Sequence, residues 1–477
     1  MSTSFRRAYA LLFYTGILTT IANACPETVN PVADPDSLQY AVMHISMFGA
    51  VPDNPCNDQL AFEAAAAWFN ARGGNGELHF DDGLYIVGAQ AQDPDFYRAG
   101  RSPLHFMHCS NLTLVGRPGT IIKYEDCLLY GAFDHLSGGS LIYPCGVSGC
   151  AQNQDVAFLG PCIHLEQCSR ITIEVLALDG NMDDLRIGGR TEYDGWQREH
   201  TGVVIDDSWD ITLRDLNVSQ FCLDGMYIRA SVLTEFMHGD DMQIGFDHCS
   251  FSRNGRTGFS WLGGAGVSGQ SSTFDYNGTY LVRSAPGAGM DIEYHYFVSF
   301  FDSAPIGNGT FASCSYRYNK GSGVIADVPP DDAYLPYVPG GFNFISCTFV
   351  GAERGVALYP NAPGMRFTYC RVHGRTTRPF DCQRTGDLSD HTHFEQCTFD
   401  ETYFDPEQNQ LYSMSWSSPQ EGSYHLFVAG VPAGGLTLVG CSLHTYCRLM
   451  PFIIFGGPAN SGQPNYHAKM LGCTYIY

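Results

Sequence analysis

Lysine is nearly missing from this chain: Lys123, Lys320 and Lys469 are the only three among 477 residues. Acidic residues outnumber basic ones 49 to 26, for a formal charge of −23. That balance argues against nucleic acid as a partner, because binding phosphates needs a basic surface. It also disfavours tight binding of a polyanionic polymer unless a cation bridges. Charged residues make up only 16% of the chain, and no helix-forming composition stands out among 53 glycines. That balance favours many short strands joined by turns. Long apolar runs are missing as well. Ala8 to Ile21 is one, too short to span a bilayer comfortably, and nothing later in the chain predicts a membrane span.

The beginning of the chain has the pattern of a secretory leader. Arg6 and Arg7 precede the apolar run, and Ala22-Asn23-Ala24 has the small-x-small form of a cleavage site, so residues 1–24 are expected to be a signal peptide. The predicted location is extracellular or periplasmic. Cys25 directly after the cut would suit a lipoprotein, although Ala22 stands where a lipobox usually has Leu.

What the sequence has in quantity is repetition. One phrase places an apolar residue three before a Cys, then Ser or Thr, then an apolar residue: Phe246-Asp-His-Cys249-Ser-Phe, Phe311-Ala-Ser-Cys314-Ser-Tyr, Phe344-Ile-Ser-Cys347-Thr-Phe and Phe394-Glu-Gln-Cys397-Thr-Phe. Looser copies hold Cys370, Cys441 and Cys473, and a related phrase opens at Cys109 and Cys168. A further phrase begins with Gly and alternates apolar positions, at Gly202, Gly225, Gly258, Gly289, Gly323 and Gly355. These glycines are 23, 33, 31, 34 and 32 residues apart, while Cys249 to Gly258 and Cys314 to Gly323 are both nine. A constant offset inside a variable period predicts stacked coils with loop insertions. Each coil buries its inward side chains only against its neighbours, so the recurring Cys predicts an inward column of reduced thiols. Cys145, Cys150 and Cys162, in a loop-rich stretch, are better disulfide candidates. Cys25, Cys56, Cys127, Cys382 and Cys447 are off-phase.

The expected organisation is an N-terminal cap over 25–100 and one solenoid over 101–477. The cap carries a helix over 57–72, with Asn57 or Asp58 as N-cap, Gly73-Gly74 as stop, and an apolar stripe of Leu60, Ala64, Ala67, Trp68 and Ala71. The helix is expected over the N-terminal mouth. At the other end the cap is expected to be weak or made from loops such as 401–430.

Phe48-Gly-Ala-Val-Pro-Asp, the helix, and Gly76-Glu-Leu-His-Phe-Asp-Asp-Gly-Leu-Tyr-Ile-Val resemble the opening of the pectate-lyase-like β-helix superfamily. Asn254-Gly-Arg-Thr-Gly and Gly287-Ala-Gly-Met-Asp-Ile-Glu resemble segments of its bacterial and phage members. The resemblance covers most of the mature chain. It implies an all-β fold, a right-handed parallel β-helix, and a polysaccharide as partner. It leaves the reaction open, because hydrolases, lyases, epimerases and tailspikes share the fold. The Asn-Thr-Asp, Gly-His-Gly and Arg-x-Lys signatures of polygalacturonase-like members do not occur here, nor does the Arg-x-Pro-x-x-Arg of pectate lyases.

Alternation in the Gly phrase sorts side chains by face. The first and third residues after Gly are apolar and predicted inward, as in Met226 and Ile228, Phe259 and Trp261, or Met290 and Ile292. The second and fourth point outward: Asp206, Tyr227, Arg229, Ser260, Asp291, Glu293, Asp327 and Tyr359. Asp291, Glu293 and Asp327 form a predicted carboxylate cluster for general acid–base work. Asp224 and Arg256, each just before a rung Gly, are expected to pair or to meet a substrate carboxylate. Tyr227, Arg229, Ser260, Tyr359, Asp206 and His295 are candidate substrate contacts. A glycoside hydrolase follows as the first reading. The others are a lyase or uronan epimerase with Arg256 or Arg229 as base, and a non-catalytic glycan-binding or adhesin module. No cofactor is required, and Ca²⁺ is the one such enzymes often use. Asp179, Asn181 and Asp183 have the spacing of a calcium-loop start, but Asp184 and Arg190 replace its Gly and Glu, so a turn is favoured. His391 and His393 lack a third ligand and are expected to be structural. Asn111, Asn217, Asn277 and Asn308 fit the glycosylation sequon, relevant only in a eukaryotic secretory host.

Overall fold

The computed structural model describes residues 39–92, 97–134, 137–140, 155–188, 197–231, 241–280, 282–293, 306–327, 341–351, 356–362, 364–376, 392–400, 402–405, 410–413, 426–429, 435–444, 453–456 and 467–476. The leader, its cleavage site, Cys145, Cys150, His295 and His391 lie outside them. Among the described residues no helix is long and apolar enough to cross a membrane.

The chain is a right-handed parallel β-helix. One face is a 13-stranded parallel sheet from Ala41–His44 to His467–Leu471, and a second is an 11-stranded sheet from Leu104–Met107 to Ile453–Gly456. The third is formed by sheets of five and six strands. Each coil visits the faces in the same order, so pairing is in register and like residues stack. On the 13-stranded face the inward column contains Phe311, Phe344, Phe367 and Phe394. Their rings stack at 5.2, 5.0 and 4.6 Å between successive centroids. Phe251, Phe274, Tyr316 and Phe349 form a second column on the third face, and all four are fully buried.

The recurring cysteines are free thiols, as the repeat predicts, all buried except the half-buried Cys473, but they occupy two corners instead of one. Cys109 and Cys168 lie between the 11- and 13-stranded faces, where Ser208 takes the next place. Cys249, Cys314, Cys347, Cys370, Cys397 and Cys441 lie between the 13-stranded face and the third, with Ser272 taking one place among them. The residue before each turns the chain through the left-handed region, as in His248 (φ 52°), Ser313 (φ 54°) and Gln396 (φ 53°). A small inward group fits that bend, and the thiols donate to carbonyls of the preceding coil, as Cys397 does to Phe367 O at 3.2 Å. Cys162, expected in a disulfide, is a buried free thiol at the start of a rung strand, and burial alone accounts for it. Cys56 is disulfide-bonded, and Cys127 is free and exposed.

A column of asparagines fixes the third corner. Asn254, Asn277 and Asn319 are buried, and each side-chain oxygen accepts from the backbone of the coil below: Phe221 N at 3.2 Å, Asn254 N at 3.0 Å and Asn277 N at 2.8 Å. The rung glycines run beside this column. A Cβ at Gly258 would lie 2.9 Å from Asn277 Nδ2 and 2.7 Å from Gly289 O, so no side chain fits there. Full burial of Asn277 also removes it as a glycan acceptor.

The helix spans Gln59–Arg72 and ends at Gly73, which adopts φ 68°. Its buried face is Ala61, Phe62, Ala65, Ala66 and Phe69, not the predicted stripe; Leu60 is 58% exposed, because the helix is rotated to set its two phenylalanines into the solenoid mouth. Asn70 replaces a missing strand beside Leu104–Met107: it donates to His105 O at 2.9 Å and accepts from Met107 N at 2.9 Å. At the far end Thr402–Asp405 and Gln410–Ser413 form an antiparallel hairpin, and Leu471 and Ile476 are exposed.

Replacing Asn277 with Ala would orphan the Asn254 amide and interrupt the column. Urea denaturation should show a loss of about 1–3 kcal/mol, while Leu60→Ala, on the exposed side of the helix, should change stability little.

Candidate active site

The outward side of the 11-stranded face holds two adjacent side-chain columns. The register places His105, His164, Val204, Tyr227, Ser260 and Asp291 in one. Glu166, Asp206 and Arg229 stand in the other, and Glu293, two residues beyond Asp291, continues it with its register partner Asp327. The apolar inward neighbours, including Met226, Ile228, Trp261, Met290 and Ile292, are all fully buried as predicted. They fix the strands, which in turn fix the outward set. A cleft of about 760 Å³ runs along these columns. Glu63 and Arg101, an ion pair reaching from the capping helix, border it together with His105 and His164, and Tyr227, Arg229, Arg256 and Glu293 line it further along.

The outward strip is not a solvated face throughout. Ser260 is 1% exposed and Asp291 4%, whereas Glu293 is half-buried and borders the cleft. Asp224 and Arg256 pair as expected, at 0% and 6% side-chain exposure. The guanidinium grips the carboxylate through Nε at 2.8 Å and Nη2 at 2.5 Å. Asp224 also accepts from Thr257 N at 3.2 Å and Thr257 Oγ1 at 2.8 Å, and Arg256 Nη2 reaches Ser260 Oγ at 3.2 Å. Burial opposes the Arg256 charge, but Asp224, with Asp291 and Glu293 nearby, outweighs it and holds the guanidinium well above its usual range. Arg229 pairs with Asp206 through Nε at 3.0 Å and Nη2 at 2.6 Å, which raises its pKa too. Burial pushes the Asp206 carboxyl up against the opposing pull of Arg229. Tyr227 is pushed up to about 12, chiefly by burial.

Asp327 lies one rung beyond Glu293 by backbone register; its side chain and that of Tyr359 are outside the described set. Tyr359, expected outward as a substrate contact, pairs in register with Ile325, because the rung register is advanced by two residues there and Leu358, not Val356, meets Val324. Ala357, expected outward, is fully buried.

The calcium-loop residues serve a turn. Asp179 Oδ1 accepts Asn181 N at 2.8 Å, and the buried Asn181 carboxamide donates to Tyr124 O at 2.9 Å and Asp126 Oδ1 at 2.8 Å. Asp183 takes Gln220 Nε2 at 3.2 Å. A different set converges. His105, His164 and Glu166 present donor atoms within 4.8 Å of one another at the N-terminal end of the cleft. Sequence reasoning missed it, although both histidines stand four residues before a ladder cysteine.

No family model matches the chain, and no curated protein does. Solved structures with a similar course are distant. The Agl-KA catalytic domain shares 13% identity over 94% of this chain and 70% of its own, with a TM-score of 0.45. The ORF18 protein of Geobacillus virus E2 shares 13% over 91% of this chain, with a TM-score of 0.43, and this chain spans 62% of it. The same 13%, 91% and 0.43 hold for tailspike gp49 of Acinetobacter baumannii bacteriophage Fri1, a capsular polysaccharide depolymerase, of which this chain spans 64%. The fold assignment rests on the parallel sheets themselves.

Asp224→Ala would leave Arg256 a buried cation without its partner. Urea denaturation should show a loss of about 3–5 kcal/mol, and Asp224→Asn, which keeps an acceptor, a smaller one.

Proposed function

We propose that the chain is a secreted polysaccharide-cleaving enzyme, a glycoside hydrolase acting through Glu293 and Asp291. The observation that carries this is their unequal placement on one strand at the cleft. They share a face two residues apart, ~6.6 Å along the strand. Glu293 borders the open cleft, while Asp291 is buried close enough to Arg256 to support its charge. Two carboxyl groups in different environments can divide acid and base work, and this spacing lies near the range glycosidases use. Glu293 takes the proton-donor role toward the glycosidic oxygen. Asp291, beside a fixed cation, takes the carboxylate role, and Asp327 is the backbone register partner of Glu293 on the next rung. Tyr227 and Arg229 contact the chain along the groove. The extracellular or periplasmic location rests on the leader pattern in the sequence.

A lyase or epimerase with an arginine base has less support. A base must lose a proton, and Arg256 and Arg229 are each clamped by an aspartate that favours the cation. Arg256 is better suited to hold Asp291 and the sugar in place.

A panel of neutral and acidic polysaccharides should yield a substrate from which the wild type releases reducing ends without absorbance at 235 nm. Glu293→Gln and Asp291→Asn should each lower that rate at least 10²-fold. Full activity in both variants would refute the assignment. Rising 235 nm absorbance would mark a lyase, and glycan binding without cleavage a binding module.

A further inference from the structure

His105 and His164 are direct register partners on neighbouring strands, and Glu166 follows His164 by two residues on the same face. The two imidazole rings stack at 4.3 Å with 5° between their planes. His105 Nε2 meets Glu166 Oε2 at 2.9 Å. His164 Nε2 has no hydrogen-bond partner among the described residues and is closed off from water. A carboxylate only accepts, so His105 donates its Nε2–H to Glu166, and an ion bound there takes the place of that proton.

We propose that His105, His164 and Glu166 bind a divalent transition-metal ion of the Zn²⁺ type. Two imidazole nitrogens and one carboxylate oxygen are a set that Zn²⁺ accepts, with bond lengths of about 2.0–2.2 Å. The donor atoms all lie within 4.8 Å of one another, and the two stacked rings turn out of parallel to bring both nitrogens onto one ion. The nitrogen content selects against Ca²⁺ and Mg²⁺, which take oxygen ligands. Glu166 pairs in register with Asp206, and Asp206 neutralises Arg229, so the nearby cation does not oppose the ion. Three protein ligands leave a coordination position, and His105 and His164 border the cleft, so that position faces bound substrate. The site lies four rungs from Glu293, ~19 Å at ~4.8 Å per rung, which makes it an anchoring point for sugar hydroxyl or carboxylate oxygens. The metal site does not rest on the hydrolase reading.

The test is Zn²⁺ binding by the full chain, measured by equilibrium dialysis with metal analysis on a Cys127→Ser background, which removes an exposed competing thiol. One site should appear, with affinity at least tenfold weaker in His164→Gln and Glu166→Gln and unchanged in Glu293→Gln. Excess Ca²⁺ should not displace the ion. Thermal melts of the metal-free proteins separate loss of a ligand from loss of the fold: His105→Gln/His164→Gln should melt like its parent but gain no Zn²⁺-induced rise in Tm. Binding by that double variant equal to its parent's, or no binding by the parent, would overturn the proposal.

Discussion

In-register parallel pairing is the constraint on which the rest of this molecule depends. Each strand finds its hydrogen-bond partners only in the coils above and below, so a residue type that fits one coil is repeated in the next. The stacked Phe311, Phe344, Phe367 and Phe394 rings, the corner thiols and the Asn254–Asn277–Asn319 column are consequences of that rule. Each polar column satisfies buried backbone groups where the chain turns and cannot pair as a strand.

The same constraint builds the cleft. Apolar inward columns hold the strands, which leaves the outward positions free to vary. They do vary, from the histidine pair through Asp206 and Arg229 to Asp291 and Glu293, so chemically different stations sit at one-rung steps along a single groove. The capping helix closes the N-terminal mouth and lends Glu63 to the cleft border. Arg256 links core and surface: its charge is matched by the buried Asp224, and its reach extends to the rung of Asp291 and Glu293.

The fold and inward columns were legible because the repeat writes them several times over. Phe259, Trp261, Met290 and Ile292 follow directly from alternation after a glycine. Burial on the outward face was not legible. Alternation tells which way Ser260 and Asp291 point, but what lies over them comes from other parts of the chain. The helix face failed because alanines populate both sides of it, so the phenylalanines at 62 and 69, not the alanine count, set its rotation. The register advance at Val356–Asn361 comes where the offset from cysteine to glycine falls from nine to eight, Cys347 to Gly355, so the regular spacing no longer holds. The histidine pair was readable in principle, since each stands at the same offset from a ladder cysteine, but only two coils carry it.

The central claim is that the outward columns of the 11-stranded face form the substrate surface. A crystal structure of the Glu293→Gln variant with an oligosaccharide of the polysaccharide that the wild type cleaves tests it most directly. The account predicts sugar density along the cleft, with a glycosidic oxygen at residue 293 and Arg256 beneath it. Density confined to the third face or the 13-stranded face, with the cleft empty, would contradict it.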